Sequence, residues 1–468
     1  MSIPQVKVQK QIQIDLNELQ LAPKNWSEEI ACDIKIYLNS QLPAEGYQLI
    51  ISDSPALIVS DYAGAYYGWI TLKNFRLPKD VVIFDYPEFS WRGVHLDVAR
   101  HFFTVTEVKK FIELISMHKL NKLHLHLNDD QGWRVEIPDW PLLTKIGAWR
   151  AGSPIGHEID NLGSDGIPHG GFYSKAQLLE IADHARKHAV TIVPEIDLPG
   201  HAQAVLAAYP DLGNTNEDIK VWEHWGISEY VLSPTQKSLE FAKSVISYVA
   251  DIFPNSPFHI GGDECPTTQW EVSEIAKNVM QEKSLKNFQE LQSIFTEALT
   301  KSLIAKGHKV LAWDEVMESG AAKDVVIVAW RDYEKVVEAV NSNYQTIVAP
   351  MQRLYFDWAQ SPEENEPISQ TSRYQPTIYT TWEDVYNFEI VGKEIAKNKK
   401  EFILGSQVQL WTEYIKNWDQ LMYMAIPRLC AFSEIVWGNQ KDISSFKNRL
   451  IEHLKQHQSD KVSYRKIS

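Results

Sequence analysis

Three cysteines in 468 residues, Cys32, Cys265 and Cys430, are too few and too scattered for a disulfide framework. No run of about 18 apolar residues occurs, so no membrane-spanning helix is predicted. The opening residues, Met1 to Lys7, lack the apolar stretch of a signal peptide, and cytoplasmic residence is the expectation. Basic residues are in deficit. With 46 Lys and Arg against 61 Asp and Glu, the formal charge is −15 and has the wrong sign for a nucleic-acid partner. No glycine-rich phosphate loop follows any strand-like run, which counts against a doubly wound nucleotide-binding sheet. Tryptophan, by contrast, is plentiful at 16 residues, and indole faces stack well on the apolar faces of sugar rings.

Residues 1–87 read as a small α+β domain. Val6, Val8, Ile12, Ile14 and Leu16 alternate with polar residues as in a half-buried strand. A helix is predicted over Ser27–Leu42, strands over Tyr47–Ser52, Ala56–Ser60 and Val81–Phe84, and a helix over Ala65–Phe75. From residue 88 to 468 the pattern becomes strand-then-helix. Strands are predicted at Gly93–Ala99, Lys122–Asn128, Thr191–Ile196, Phe258–Gly261, Val310–Trp313, Val325–Trp330, Thr346–Tyr355 and Ile403–Trp411. Helical patterns such as Thr106–His118, Ser174–His188 and Pro234–Phe253 lie between them, and a last helix is predicted around Trp418–Val436. Eight strands, each trailed by a helix, predict a (β/α)8 TIM barrel.

A barrel of this kind places its chemistry where strands end. Those ends carry Arg92 to Asp97 to Arg100, Asp129-Asp130, Glu195-Ile196-Asp197 with His201, Asp263-Glu264, Trp313-Asp314-Glu315, Trp330-Arg331, Tyr355 with Asp357, and Trp411 with Glu413, with an ion pair on the barrel floor as the alternative for Arg92. Carboxylates accept hydroxyl protons and aromatics cover carbon faces, so the composition suits a neutral sugar. Within the segment His259-Ile260-Gly261-Gly262-Asp263-Glu264, two neighbouring acids disfavour each other's ionisation, which leaves one inclined to keep its proton. Adjacent strand residues point to opposite faces. Asp263 and Glu264 therefore converge on one ligand only if the backbone leaves extended geometry, for which Gly261-Gly262 gives room. Two long connections, Gly147–Gly171 and Gln360–Asn387, are candidate pocket walls.

With these residues assembled, the sequence resembles the β-N-acetylhexosaminidases of glycoside hydrolase family 20. The matching segments are Trp91–Arg100, His124–Arg134, Pro194–His201, His259–Glu264, Trp313-Asp314-Glu315, Tyr355-Phe356-Asp357 and Leu410–Glu413. The resemblance implies a retaining exo-hydrolase for terminal β-linked N-acetylhexosamines, with no cofactor and no metal. It implies that Glu264 is the general acid and that Asp263 steers the substrate's own 2-acetamido group, whose carbonyl oxygen attacks the anomeric carbon. It makes Tyr355 a donor to that carbonyl. Arg92, Asp357 and Glu413 become partners of sugar hydroxyls, and Trp313, Trp330 and Trp411 an indole box. Asp129 and His201 become a pair that tunes the acid, with the choice between Asp129 and Asp130 for the pocket left open. Asn128 stands where the family commonly has a hydroxyl residue, a departure expected to touch only packing.

Two other readings compete. His124-x-His126 on one strand face recurs in metal-dependent amidohydrolase-type barrels, but those also need histidines ending the fifth and sixth strands. Here those ends are Trp313-Asp314-Glu315 and Trp330-Arg331, so buried hydrogen bonding is the expected role of the pair. A sugar-binding barrel without activity would keep the tryptophans and lose the acid, and Glu264 is present.

Overall fold

The computed structural model describes residues 8–9, 16, 19–74, 80–215, 217–363, 366–371, 378–438, 442–459 and 463–467. Eight parallel strands close on themselves: β1 (Trp91–Asp97), β2 (Lys122–His126), β3 (Thr191–Glu195), β4 (Phe258–His259), β5 (Val310–Trp313), β6 (Val326–Ala329), β7 (Thr346–Val348) and β8 (Ile403–Leu410), with β8 pairing β1. Helices follow the strands, so the fold is the expected (β/α)8 barrel. Their starts are chemically marked. Thr104 and Glu107 form a reciprocal capping box on Val105–Met117, and Ser174 and Gln177 form another on Lys175–Lys187.

The two-residue side-chain period of a strand sorts the barrel residues. Val94, Leu96, Leu123, Leu125, Ile192, Val310 and Ala312 face outward into the main apolar core under the helices. Facing inward are a lower apolar layer, including Val193, Leu311, Val326, Val328 and Ile347, and above it a polar one. In that polar layer His126 Nδ1 lies 2.5 Å and His124 Nε2 3.1 Å from Glu195, as does His259 Nδ1 at 2.9 Å. The His124/His126 pair is thus buried around one carboxylate.

Residues ahead of the barrel form a six-stranded sheet: Val8–Gln9, Val81–Asp85, Tyr47–Ile51, Ala56–Val59, Lys35–Leu38 and Gln20–Leu21, in that spatial order. The helix Tyr62–Asn74 packs against it. Lys119 of the barrel donates to Asp85 (3.2 Å) and Tyr47 (2.8 Å), an ion pair sealed beneath Trp437. The long helix expected over Ser27–Leu42 is not formed. A six-residue helix, Lys24–Glu29, ends at Ala31 with φ +49°, and Lys35–Leu38 is a strand. Pairing with Gln20–Leu21 on one side and Ala56–Val59 on the other outweighs local helical preference. Most of the alternating stretch Val6–Leu16 lies outside the described residues.

Two other expectations are corrected. The strand predicted over Thr346–Tyr355 stops at Val348, and the turn Met351–Leu354 carries the chain to Tyr355, which rejoins the sheet opposite Gln409. Pro350 is the reason, since it donates no backbone hydrogen bond and restricts the residue before it. The helix expected around Trp418–Val436 is two, Trp418–Ala425 and Arg428–Trp437, parted at Pro427, and a further helix, Ile443–Ser459, follows them. No helix among the described residues is long and apolar enough to cross a membrane.

Candidate active site

At the C-terminal ends of the strands lies a cavity of about 270 Å³ lined by Arg100, Asp263, Glu264, Trp330, Met351, Tyr355, Asp357, Trp358, Gln370, Trp411 and Glu413. Two larger clefts, of about 670 and 700 Å³, open near the other ends of the strands, beside Ile403 and Thr191 respectively. The smaller cavity is the site. It alone of the three gathers strand-end carboxylates and indoles at the barrel face where chemistry is built.

The turn after β4 is the backbone departure that the sequence demanded. Gly261 has φ +67°, Gly262 φ +102° and Glu264 φ +47°. Gly262 donates its N–H to Asp197 Oδ1 (2.9 Å), and Gln292 donates to the Gly262 carbonyl (2.7 Å). A Cβ on Gly261 would stand 1.9 Å from Asp197 Oδ1. Gly261→Ala is therefore expected to destabilise the fold by ~1–3 kcal/mol and to cut turnover by displacing both acids. Thermal denaturation alongside kcat checks this, and unchanged values of both would refute it.

Behind the turn stands a chain of charges. His201 Nε2 lies 3.7 Å from Glu264 Oε2 and 3.8 Å from Asp263 Oδ2, while its Nδ1 lies 3.1 Å from Asp129 Oδ1. Burial alone would lower the His201 imidazole, but Asp129, Asp130 and Asp263 outweigh it and hold it well above the histidine range. Asp129 also meets Arg100 (2.8 Å) and His126 (2.7 Å). These cations overcome its burial and keep it well below the usual carboxylate range. Neither Asp129 nor Asp130 lines the cavity. Asp129 joins His201 to His126 and Arg100, whereas Asp130 meets His201 at 3.3 Å and otherwise accepts backbone N–H groups from Gln203 and Ser228.

Asp263 and Asp197, from neighbouring strand ends, are close enough for each carboxyl to feel the other's charge. Burial, then the mutual repulsion of the pair, raises Asp263 well above the carboxylate range, and burial pushes Asp197 up to about 7. Asp263 Oδ1 and Asp197 Oδ2 are both buried without a hydrogen-bond partner. A shared proton satisfies both. Asn128, expected only to pack, accepts from Asp197 N–H and donates to its carbonyl, both at 2.9 Å.

The opposite walls are aromatic. The Trp330 and Tyr355 rings stack with centroids 6.0 Å apart, and the Arg100 guanidinium lies 4.9 Å over Trp411. Burial raises Tyr355 well above the phenol range, so its hydroxyl stays a donor. Asp357 and Glu413 are both raised, first by burial.

Of the residues singled out in the sequence, Asp263, Glu264, Trp330, Tyr355, Asp357, Trp411 and Glu413 line the cavity. His201 and Asp129 stand behind it. Trp313 lies beneath, fully buried, with its indole N–H donated to Glu195 (2.8 Å). Arg92 is a correction. Its guanidinium points out of the barrel to Glu45, the Lys119 and Phe89 carbonyls (both 2.8 Å) and Tyr67 (3.2 Å), locking the N-terminal sheet to the barrel. Arg92 is at the wrong end of β1 and shares parity with outward-facing Val94 and Leu96. Arg100, just past the strand's other end, is the cavity's arginine. Met351, Trp358 and Gln370 carry no signal in the sequence that marks them for the site. Gln370 is the contribution of the long connection after β7; nothing from Gly147–Gly171 lines the cavity.

Ligand-type atoms of His95, His126 and Glu195, and of His124, Glu195 and His259, lie within 4.8 Å of one another, a spacing a cation could use. His126 already bridges Glu195 and Asp129.

A catalytic-domain model described as glycosyl hydrolase family 20 matches residues 89–440. The chain belongs to that family. It is 35% identical over 439 residues to a β-hexosaminidase of Porphyromonas gingivalis, covering 89% of this chain and 54% of that protein. A β-hexosaminidase of Akkermansia muciniphila is 30% identical, with 91% and 87% covered. A Vibrio harveyi family 20 exo-β-N-acetylglucosaminidase, solved with N-acetylglucosamine, superposes with a TM-score of 0.82 at 31% identity, over 92% of this chain and 69% of that one. The chain thus spans about half the length of the Porphyromonas relative. Family 20 membership makes it a glycoside hydrolase and sets aside the amidohydrolase and non-catalytic readings.

Proposed function

We propose that this family 20 hydrolase removes single terminal β-linked N-acetylhexosamine residues from oligosaccharides or glycoconjugates, with retention, using the substrate's acetamido group as nucleophile. The observation that carries the mechanism is the left-handed turn that delivers Asp263 and Glu264 to the same side of one small cavity. Two acids on one turn are badly placed to flank a sugar ring as nucleophile and acid must. The remaining cavity carboxyls, Asp357 and Glu413, are both held upward by burial and make poor nucleophiles. An amide oxygen from the ligand fills the gap.

In this reading Glu264, about a third of whose side chain is exposed, donates its proton to the departing oxygen. Asp263 accepts the acetamido N–H and balances the charge of the oxazolinium ion, while Tyr355 donates to the acetamido oxygen. Trp330 and Trp411 enclose ring and methyl. Arg100, Asp357 and Glu413 meet hydroxyls. Water then opens the intermediate with Glu264 as base. The deciding experiment is hydrolysis of 4-nitrophenyl β-GlcNAc, β-GalNAc and β-glucoside. At least one of the first two should be cleaved and the glucoside, lacking the amide, should be inert; equal rates on the glucoside would end the proposal.

The Asp197–Asp263 pair adds a pH prediction. Asp197 ionises as pH climbs through about 7, and the remaining proton, shared within the pair and held by burial and that new charge, is lost only at higher pH. A second negative charge then enters a buried site, and kcat/KM is expected to fall on the alkaline side. Asp197→Asn keeps an acceptor for Gly262 N–H and offers Asp263 a permanent donor. It should retain activity within roughly tenfold and move that limb upward. An unshifted limb in the kcat/KM profile would assign it to another group.

A further inference from the structure

Glu315 lies outside the cavity, on the short 3-10 turn Asp314–Met317 that follows β5, yet it touches one of the cavity's walls. Its Oε2 accepts the indole N–H of Trp330 at 3.0 Å. That indole is the one stacked on Tyr355. The backbone of Trp330 is held separately, by its N–H donated to Asp314 Oδ2 at 2.8 Å. The same Asp314 pairs with Arg331 through Nε, and Arg331 also reaches Glu318 at 2.8 Å. The two neighbouring acids thus have separate roles, since Asp314 anchors the strand end and Glu315 sets the rotation of the ring.

We propose that Glu315 is a positioning residue for the hydrolysis, holding the Trp330 indole as a fixed wall against which the acetamido-bearing sugar packs. This rests on the reading of the cavity given above. An indole has two soft torsions, and its single polar atom is the handle by which a protein selects one orientation. Without an acceptor at Nε1 the ring is free to swing off Tyr355, and the cavity loses its shape before substrate arrives. Glu315 is also the carboxyl that can do this without adding a second full charge beside Asp263. Burial first, then Asp263 and Asp314, push it up to about 9. The groups facing it are Asp263, Asp314, the Trp330 indole and Arg331, whose Nε is 3.9 Å away and already engaged by Asp314. A glutamine has the same shape, the same acceptor and no charge.

The test compares Glu315→Gln and Glu315→Ala with the wild type on 4-nitrophenyl β-GlcNAc at pH 6–7. Gln should stay within about twofold in both kcat and KM, because the hydrogen bond survives. Ala should raise KM by about tenfold, the usual weight of one such bond, with kcat changed less. Impairment of Gln equal to that of Ala, or an unchanged KM in Ala, would overturn the proposal. Trp330→Phe removes the donor but keeps a ring, and adding Glu315→Ala to it should cost little more; a full additive loss would also overturn it. An inert wild type would instead count against the reading of the cavity. Crystal structures of the two variants then decide the inference without turnover: the Trp330 indole should be turned in Ala and in place in Gln, and an unmoved indole in Ala would refute it.

Discussion

Glu264→Gln is expected to lower kcat by roughly 10²–10⁴-fold while leaving KM close to that of the wild type. The amide is isosteric with the acid, so the left-handed turn at φ +47° need not move, and only the transferable proton is lost. The loss should depend on the leaving group. A 4-nitrophenyl or sugar aglycone departs slowly without protonation, whereas 2,4-dinitrophenolate departs unaided, and with it the first step should be nearly restored. A deficit of equal size across such a series would show that Glu264 shapes the site rather than donating a proton. His201 lies 3.7 Å away and is held cationic by Asp129. Its removal should move the pH dependence rather than abolish turnover.

Asp263→Asn is expected to cost about 10²–10³-fold in kcat on N-acetylhexosaminides, comparable to losing one aimed electrostatic partner of a transition state. Asparagine retains the volume, so ground-state binding should persist. What disappears is the negative charge that the oxazolinium ion requires. The effect should be confined to substrates bearing the 2-acetamido group, and the first-formed product must keep the β configuration. Inversion, detected by NMR of the nascent sugar, would remove the substrate-assisted route. Misfolding is not the expected cause of the loss, because the substitution relieves crowding among Asp197, Asp263 and Glu264. The melting temperature should hold or rise, as it does where functional sites are kept strained for activity.

Much of the barrel was legible because its signals are local. Each strand is a short apolar or alternating run, and several of the helices that follow start at Ser, Thr, Asp or Asn caps. Local reading failed where pairing partners lay far away. Lys35–Leu38 is a strand because Ala56–Val59 and Gln20–Leu21 flank it, which no window of sequence around residue 36 contains. Arg92 is different, because its placement is legible in the chain itself. Its parity with Val94 and Leu96, and its position at the start of β1, both point away from a strand-end site.

The sequence by itself determined the architecture, the ring of acids and indoles at the strand ends, and the need for a kink at Gly261-Gly262, since these follow from periodicity, residue type and the geometry of neighbouring residues. Only the tertiary structure decided which groups meet. It joined Asp197 to Asp263 across adjacent strands, set both Asp129 and Asp130 beside His201 but gave Arg100 and His126 to Asp129 alone, and drew Gln370 from a distant loop to the cavity. The reason is physical: proton sharing and charge balance act over a few ångströms of space, and residues far apart in the chain supply the partners.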